Sequence, residues 1–248
     1  MYGSQHWTGW VNSLPEGHWP VYRRVLNEAT CREFLFAVGG AFATATHAGV
    51  WRGTNDMDLY VLPENRQAAI SMLEELDLHN IQQTFPYDPS VTHRATDGRV
   101  IVELIWGMKN HRAMVDNVWL TRSEWIDIDG LRLRVTPPEE MIWPKLYVLS
   151  RERSDWPDIL NILYFCGEGL DWRHLLERLG DDTPLLAGVL CVLKWLQPQK
   201  VQEFPAWLLK EVGIDTAAPP ADETGLRRRA ELLNPADWFG PRFSEKTV

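Results

Sequence analysis

The chain has little cysteine. Cys31, Cys166 and Cys191 are the only three in 248 residues, widely separated and set among apolar or helical neighbours. They show no metal-ligand spacing, and an odd count does not build a disulfide framework, so a reducing, cytosolic setting is expected. Long apolar runs are also missing. The longest, Pro184 to Leu193, falls short of the roughly 20 residues needed to span a bilayer, and Met1 to Trp10 shows no basic stretch leading into an apolar one. Positive charge is in short supply: the net charge is −9 and the pI about 5.3, which argues against a general nucleic-acid coat protein. The one basic run, Arg227-Arg228-Arg229, is flanked by Glu223 and Glu231 and reads as an ordinary solvated helix. There is no Gly-x-Ser-x-Gly elbow and no Gly-Lys-Ser/Thr phosphate loop, so neither a Ser-His-Asp hydrolase nor a P-loop enzyme is indicated.

What is present is an ordinary globular composition, 45% hydrophobic and 24% charged, long enough for one large domain or two small ones with ample core. Thirteen tryptophans are many for this length. Several fall at helical spacing among apolar residues, which predicts packing roles.

The pattern along the chain changes character once. Residues 1–17 are polar and irregular. A helix is expected over Pro20–Ala29, with Pro near its start. An apolar strand then runs from Glu33 to Val38 into Gly39-Gly40, followed by a helix of small residues, Ala41–Ala48, stopped by Gly49. Asp56–Leu62 reads as a strand rich in β-compatible side chains and ended by Pro63. Glu64–Leu76 reads as a helix with an apolar stripe of Ala68, Met72, Leu73 and Leu76. Two hairpins follow: Arg94–Thr96 with Arg99–Trp106 across Asp97-Gly98, and Trp125–Ile128 with Leu131–Val135 across Asp129-Gly130. Pro137-Pro138 marks a boundary. Beyond it only helices are predicted: Glu139–Ser150, Asp155–Phe165, Asp171–Leu179, Thr183–Leu196, Pro205–Val212 and, past an Ala-Ala-Pro-Pro linker, Gly225–Leu233. The expectation is an α/β domain over 18–136, a helical domain over 137–216, and a linker, short helix and tail over 217–248.

Asp56 and Asp58 stand out. Residues two apart on a strand share a face, about 6.5–7 Å apart, and carboxylates held that close repel unless a cation neutralises them. Oxygen-only ligands suit Mg²⁺ or Mn²⁺. Glu103 sits between Ile101 and Ile105 on one strand face, where a charge needs a reason. Either that strand lies beside Asp56–Val61 and Glu103 is a third carboxylate of one cluster, or it is an edge strand with Glu103 exposed. Gly39-Gly40 is compatible with a backbone approach to phosphate at a helix N-terminus and equally with a plain tight turn. Ile142, Lys145, Leu146 and Leu149 share a helix face, which puts Lys145 on an apolar stripe, aimed into a polar site or snorkelling to water. Asp155 lies at a helix N-cap position that Ser154 could also serve, and Arg151 and Arg153 are potential ion-pair partners of Asp155 and Asp158. His47, on the helix after Gly40, is expected to be partly exposed.

The order of these features, a strand, Gly39-Gly40, a helix, Arg52-x-Thr54-x-Asp56-x-Asp58-Leu59, and an acidic residue on a later strand, resembles the nucleotidyltransferase superfamily with the polymerase-β-like fold. It looks most similar to the minimal bacterial branch that includes toxin–antitoxin nucleotidyltransferases of the AbiEii type. Glu139-Glu140-Met141-Ile142-Trp143-Pro144-Lys145-Leu146, then Arg151 or Arg153, Asp155 and Asp158-Ile159-Leu160, looks like that branch's Lys…Arg…Asp…Asp-Leu pattern. The resemblance covers residues 33 to 165. It departs from the family in having Gly39-Gly40-Ala41 where a Gly-Ser pair is usual, Glu103 where Asp is more usual, and Asn55 where a basic residue is frequent.

The resemblance implies a small mixed sheet flanked by helices, and transfer of a nucleoside monophosphate from an NTP, such as ATP, to a hydroxyl acceptor. It implies two-metal phosphoryl transfer, with two Mg²⁺ (or Mn²⁺) ions, one for the triphosphate and one for the acceptor oxygen, held by Asp56, Asp58 and Glu103, which would also be the catalytic carboxylates, and nucleotide contacts from Gly39, Gly40, Thr54, Lys145 and Asp155. A tRNA 3′ end, a protein hydroxyl and a small molecule such as an aminoglycoside all fit such chemistry as acceptors, with the acidic charge disfavouring RNA. A cognate protein partner is compatible with the branch. The alternative is a catalytically degenerate nucleotide- or partner-binding protein of the same fold.

Overall fold

The structure is a computed structural model that describes residues 7–32, 34–215, 222–233 and 239. The chain divides into two compact units, with the division between Pro144 and Lys145.

The first unit is built on a mixed sheet of seven strands among the described residues, in the order β3-β4-β5-β2-β1-β7-β6. These strands are β1 (Phe36–Val38), β2 (Asp56–Val61), β3 (His79–Asn80), β4 (Thr92–Thr96), β5 (Ile101–Ile105), β6 (Glu124–Ile128) and β7 (Leu131–Val135). The helices of this unit are α1 (His18–Cys31), α2 (Gly40–Ala48), α3 (Arg66–Glu75), α4 (Asn117–Thr121) and most of α5 (Pro138–Leu146). The fold is therefore α/β, a mixed sheet flanked by helices.

The alternation along β2 explains its burial. Met57, Leu59 and Val61 are fully buried on one face, while Asp56 and Asp58 are half-buried on the other. Helix α2 is buried along its whole length, as expected of a helix apolar on all sides. Its threonines stay satisfied by donating back one turn, Thr44 to the Gly40 carbonyl at 3.0 Å and Thr46 to the Phe42 carbonyl at 2.8 Å. In α3 the buried stripe is Ala69, Met72 and Leu73, and Ala68 is exposed. The expected stripe is thus out of phase at its start, because Pro63–Asn65 forms a separate 3-10 turn and the α-helix begins only at Arg66.

Both hairpins form. Asp129 and Gly130 both have positive φ, 47° and 75°, as a two-residue turn between twisted strands requires. In the other hairpin Thr96 pairs with Ile101, so the connection is longer than Asp97-Gly98. The Asp97 carboxylate accepts the backbone N–H groups of Arg99 and Val100 at 3.0 and 3.2 Å, closing the turn from its side chain. Several short elements escape the sequence reading, among them β3, α4 and a helix over Pro198–Gln202; none is long enough to show a period.

The second unit is helical: the end of α5, then α6 (Trp156–Cys166), α7 (Trp172–Leu179), α8 (Thr183–Leu196), α9 (Pro198–Gln202), α10 (Ala206–Glu211) and α11 (Glu223–Leu233). Its core includes Ile159, Ile162, Leu163, Leu175, Leu186, Leu190 and Leu193, all fully buried. Helix α5 stops at Leu146, short of the expected Ser150, and Leu149 is exposed. The arginine run lies on α11, where Arg227 and Arg228 are exposed. The expected linker at 217–220 lies outside the described residues. The three cysteines form no disulfide, and no helix among the described residues is long and apolar enough to cross a membrane.

Candidate active site

The site is assembled by a pairing between distant parts of the chain. Strand β2 lies parallel to β5, in a register that sets Asp58 opposite Glu103 and Asp56 opposite Ile101. Side chains directly opposite on neighbouring strands share a face, so Glu103 joins Asp56 and Asp58. One carboxylate oxygen from each of the three lies within 4.8 Å of the others. Glu103 is buried, at 8% exposure, and β5 is an interior strand of the sheet. The edge-strand alternative for Glu103 is therefore excluded.

The Gly39-Gly40 turn is fitted to this cluster. The Gly39 N–H donates to the Asp58 carbonyl at 2.9 Å, tying the turn to β2. Gly40 has φ +54°, and a Cβ placed on it would lie 1.6 Å from Asp58 Oδ2. A Cβ on Gly39 would meet the Tyr60 ring at 2.4 Å. Both glycines are thus demanded by close approach, and the first turn of α2 starts directly beside the Asp58 carboxylate. The Thr54 hydroxyl donates to Asp56 Oδ1, fixing that carboxylate from the loop before β2.

Further residues, not singled out by the sequence, complete the surroundings. Arg94, opposite Glu103 in the antiparallel β4–β5 register, places Nη2 2.9 Å from Glu103 Oε2. The Thr92 hydroxyl is 2.9 Å from Glu103 Oε1 and equally from the Leu104 carbonyl. Burial works against the charge of Arg94, but Glu103, with Asp56 and Asp58 at longer range, outweighs it and holds the guanidinium above its ordinary range. Tyr22, fully buried on α1 with its hydroxyl 3.4 Å from the Asn55 carbonyl, has its phenol pushed up by burial and then by the field of Asp56, Asp58 and Asp97. Reading the hairpin turn as two residues would set Arg94 opposite Ile101. The longer turn moves it opposite Glu103, which is why the pair is not visible in the sequence.

His47 is a correction. It is buried at 4% exposure, and Nε2 lies 2.7 Å from the Thr136 carbonyl. The all-round burial of α2, which its small apolar residues bring about, leaves no exposed face for it. His93 points to the opposite side of β4 from Arg94; it is buried, which lowers its pKa.

Lys145 and Asp155 come together in the helical unit. Lys145 Nζ is 2.8 Å from Asp155 Oδ2 and 2.8 Å from Asp158 Oδ2, and Arg153 Nε is 2.8 Å from Asp155 Oδ1. Lys145, Asp155 and Asp158 are all buried. Lys145 thus neither sits on a bare apolar stripe nor reaches water, but is neutralised in place. Asp155 holds the N-cap position of α6 without a capping hydrogen bond; Ser154 Oγ accepts the Trp156 N–H instead, at 3.3 Å.

The donor set of the first cluster fits a hard divalent cation: it offers three carboxylates, all oxygen, converging on one point.

No family model and no curated protein matches the chain. Similar solved structures exist. One is the antibiotic-resistance factor ANT(2″)-Ia, with 18% identity, covering 68% of this chain and 93% of that one, at a TM-score of 0.45. Another is the lincosamide antibiotic adenylyltransferase LnuA in its lincomycin-bound form, with 13% identity, 58% and 94% coverage, and a TM-score of 0.42. A third is an antigenic nucleotidyltransferase-like protein from Paracoccidioides brasiliensis, with 16% identity, 71% and 91% coverage, and a TM-score of 0.39. All three TM-scores lie below 0.5, so the functional reading rests on the geometry of the site.

Proposed function

We propose that the protein is a metal-dependent nucleotidyltransferase, moving a nucleoside monophosphate from an NTP to a hydroxyl acceptor. The observation that carries this reading is the carboxylate triad. Asp56, Asp58 and Glu103 converge on one face, brought together by a parallel strand register, at a turn whose glycine admits no side chain because a carboxylate fills the space.

Asp56 and Asp58 would hold Mg²⁺ or Mn²⁺, with Glu103 completing the ligand set or taking the acceptor's proton. When bound, the ion supplies charge neutralisation for the triphosphate and acidifies the acceptor oxygen. The chain's own part is positioning, the main source of rate in such transfers. Thr54 orients Asp56, and backbone N–H groups in the first turn of α2, other than that of Gly39, which the Asp58 carbonyl already accepts, would meet phosphate oxygens. In the transfer the acceptor oxygen bonds to the α-phosphorus as the bond to pyrophosphate breaks. Lys145 and Asp155, assigned to the nucleotide by the family resemblance alone, belong to this proposal with one constraint. Two of the three Lys145 N–H donors are engaged by aspartates, which leaves one for a phosphate. A tRNA end, a protein hydroxyl or a small molecule would serve as acceptor.

The test is calorimetric titration of Mg²⁺ with each NTP into the wild-type protein and an Asp56→Ala/Asp58→Ala variant. Metal-dependent NTP binding is expected in the first and not in the second, followed by label transfer from NTP in an acceptor screen. A folded wild-type protein that binds no NTP with metal would sink the proposal.

A further inference from the structure

The proposed function leaves Glu103 two roles, ligand or proton acceptor, and the residues around it favour one. We infer that Arg94 is a positioning residue of the metal site: with Thr92 it fixes both carboxylate oxygens of Glu103, so that Glu103 meets a divalent cation beside Asp58 as a pre-oriented ligand. This inference rests on the nucleotidyltransferase reading of the triad.

Three observations support it. First, the contact is built into the sheet. Arg94 and Glu103 are register partners on β4 and β5, and Glu103 and Asp58 are register partners on β5 and β2. Arg94, Glu103 and Asp58 therefore form one row across three strands, with a 2.9 Å ion pair at one end and the proposed metal position at the other. Second, both oxygens of Glu103 face a donor: Arg94 Nη2 on Oε2 and, on Oε1, the Thr92 hydroxyl, whose single hydrogen is shared with the Leu104 carbonyl. A glutamate side chain has more rotamer freedom to lose than most, and these contacts restrict it before any ion arrives. Each oxygen keeps a further lone pair for a cation. Third, Arg94 is held in place even though its Nε is buried with no hydrogen-bond partner among the described residues. A buried unpaired donor is costly, so general packing would not favour an arginine here; the pairing with Glu103 does.

The sign of one measurement separates positioning from mere proximity. A positive charge next to a metal ligand repels the ion, so removing a bystander arginine would tighten metal binding. Removing a positioning arginine loosens it, as loss of outer-shell partners does, by about tenfold or more. Mn²⁺ affinity of the full chain would be measured by electron paramagnetic resonance of the free ion, for wild type, Arg94→Met, Arg94→Lys and Asp58→Asn, with thermal melts on each. The expected results are loss of binding in Asp58→Asn, a roughly tenfold weakening in Arg94→Met, and partial recovery in Arg94→Lys, which restores the charge without the fork. Affinity equal to or tighter than wild type in folded Arg94→Met overturns the inference and leaves the triad standing. If that variant does not fold, Arg94→Lys decides in the same way, since an affinity at or above wild type overturns the inference. A wild-type protein that binds no Mn²⁺ overturns both this inference and the proposed function.

Discussion

Two clusters of acidic residues, one in each unit, use the same side chains to opposite ends. In the helical unit Asp155 and Asp158 are buried, and they meet Lys145 and Arg153 at 2.8 Å, two negative charges against two positive. In the α/β unit one carboxylate oxygen from each of Asp56, Asp58 and Glu103 lies within 4.8 Å of the others, and Arg94 pairs with Glu103 from the far side of the row. Each arrangement concentrates carboxylates. In the first, lysine and arginine nitrogens stand between the carboxylates; in the second, the carboxylate oxygens of three residues converge on one point, as the ligands of a divalent cation do. Carboxylate oxygens converging on one point are thus the better sign of a binding site, and carboxylates interleaved with buried cations the better sign of architecture.

Removing one partner from each cluster should therefore act on different properties. Lys145→Met leaves two buried aspartates without their shared cation, and should cost about 3–5 kcal/mol in urea unfolding of the helical unit. Asp58→Asn keeps the side chain's shape and removes one of three converging carboxylates, so it should act on binding instead, with Mn²⁺ binding lost at a stability cost well below that of Lys145→Met. A stability loss in Asp58→Asn as large as that in Lys145→Met would erase the distinction between the two clusters.

A smaller effect is expected at the glycine beside the triad. Gly40→Ala combines a left-handed backbone, about 1–2 kcal/mol for a residue with a Cβ, with a methyl group in the place of Asp58 Oδ2. Gly98→Ala, at φ +91° with nothing within 4 Å of its added Cβ, isolates the backbone part. Gly40→Ala should destabilise more than Gly98→Ala in denaturant melts and, unlike it, should abolish Mn²⁺ binding. Equal effects on both counts would show that the turn is not fitted to the carboxylate.

The smallest effect is a pH dependence confined to the helical unit's cluster. Burial alone would raise Asp155, but Arg153 and Lys145 outweigh it and hold its pKa below the ordinary 3.8. A carboxylate lowered on folding contributes its full stability above its unfolded pKa and loses it as pH falls through the folded one. The stability gap between wild type and Asp155→Asn should therefore be constant above about pH 5 and shrink in more acid solution. A gap that widens in acid would contradict the ion-pair account.

Much of the site's chemistry is legible locally, though not its assembly. Asp56 and Asp58 share a face because alternation is a property of any strand, and Gly39-Gly40 marks a turn because glycine tolerates what other residues do not. The Asp129-Gly130 hairpin is likewise local. The Asp97-Gly98 hairpin is legible in kind but not in register, because the Asp97 side chain closes a longer loop. That difference alone hides the Arg94–Glu103 pair. His47 reads as partly exposed because its helix is short and lacks a polar face to orient it; its burial follows from what packs around α2.

By itself, then, the sequence determined the longer elements, the shift from α/β to helical organisation, and a pair of aspartates side by side, since each follows from backbone geometry and periods of two or of three to four residues. Tertiary structure alone decided that β2 lies parallel to β5 with Asp58 opposite Glu103, that Arg94 and Thr92 hold that glutamate, and that Lys145 is neutralised by Asp155 and Asp158. The physical reason is that strand partners and ion-pair partners are chosen by burial and closure over long stretches of chain, for which local side-chain patterns carry no record.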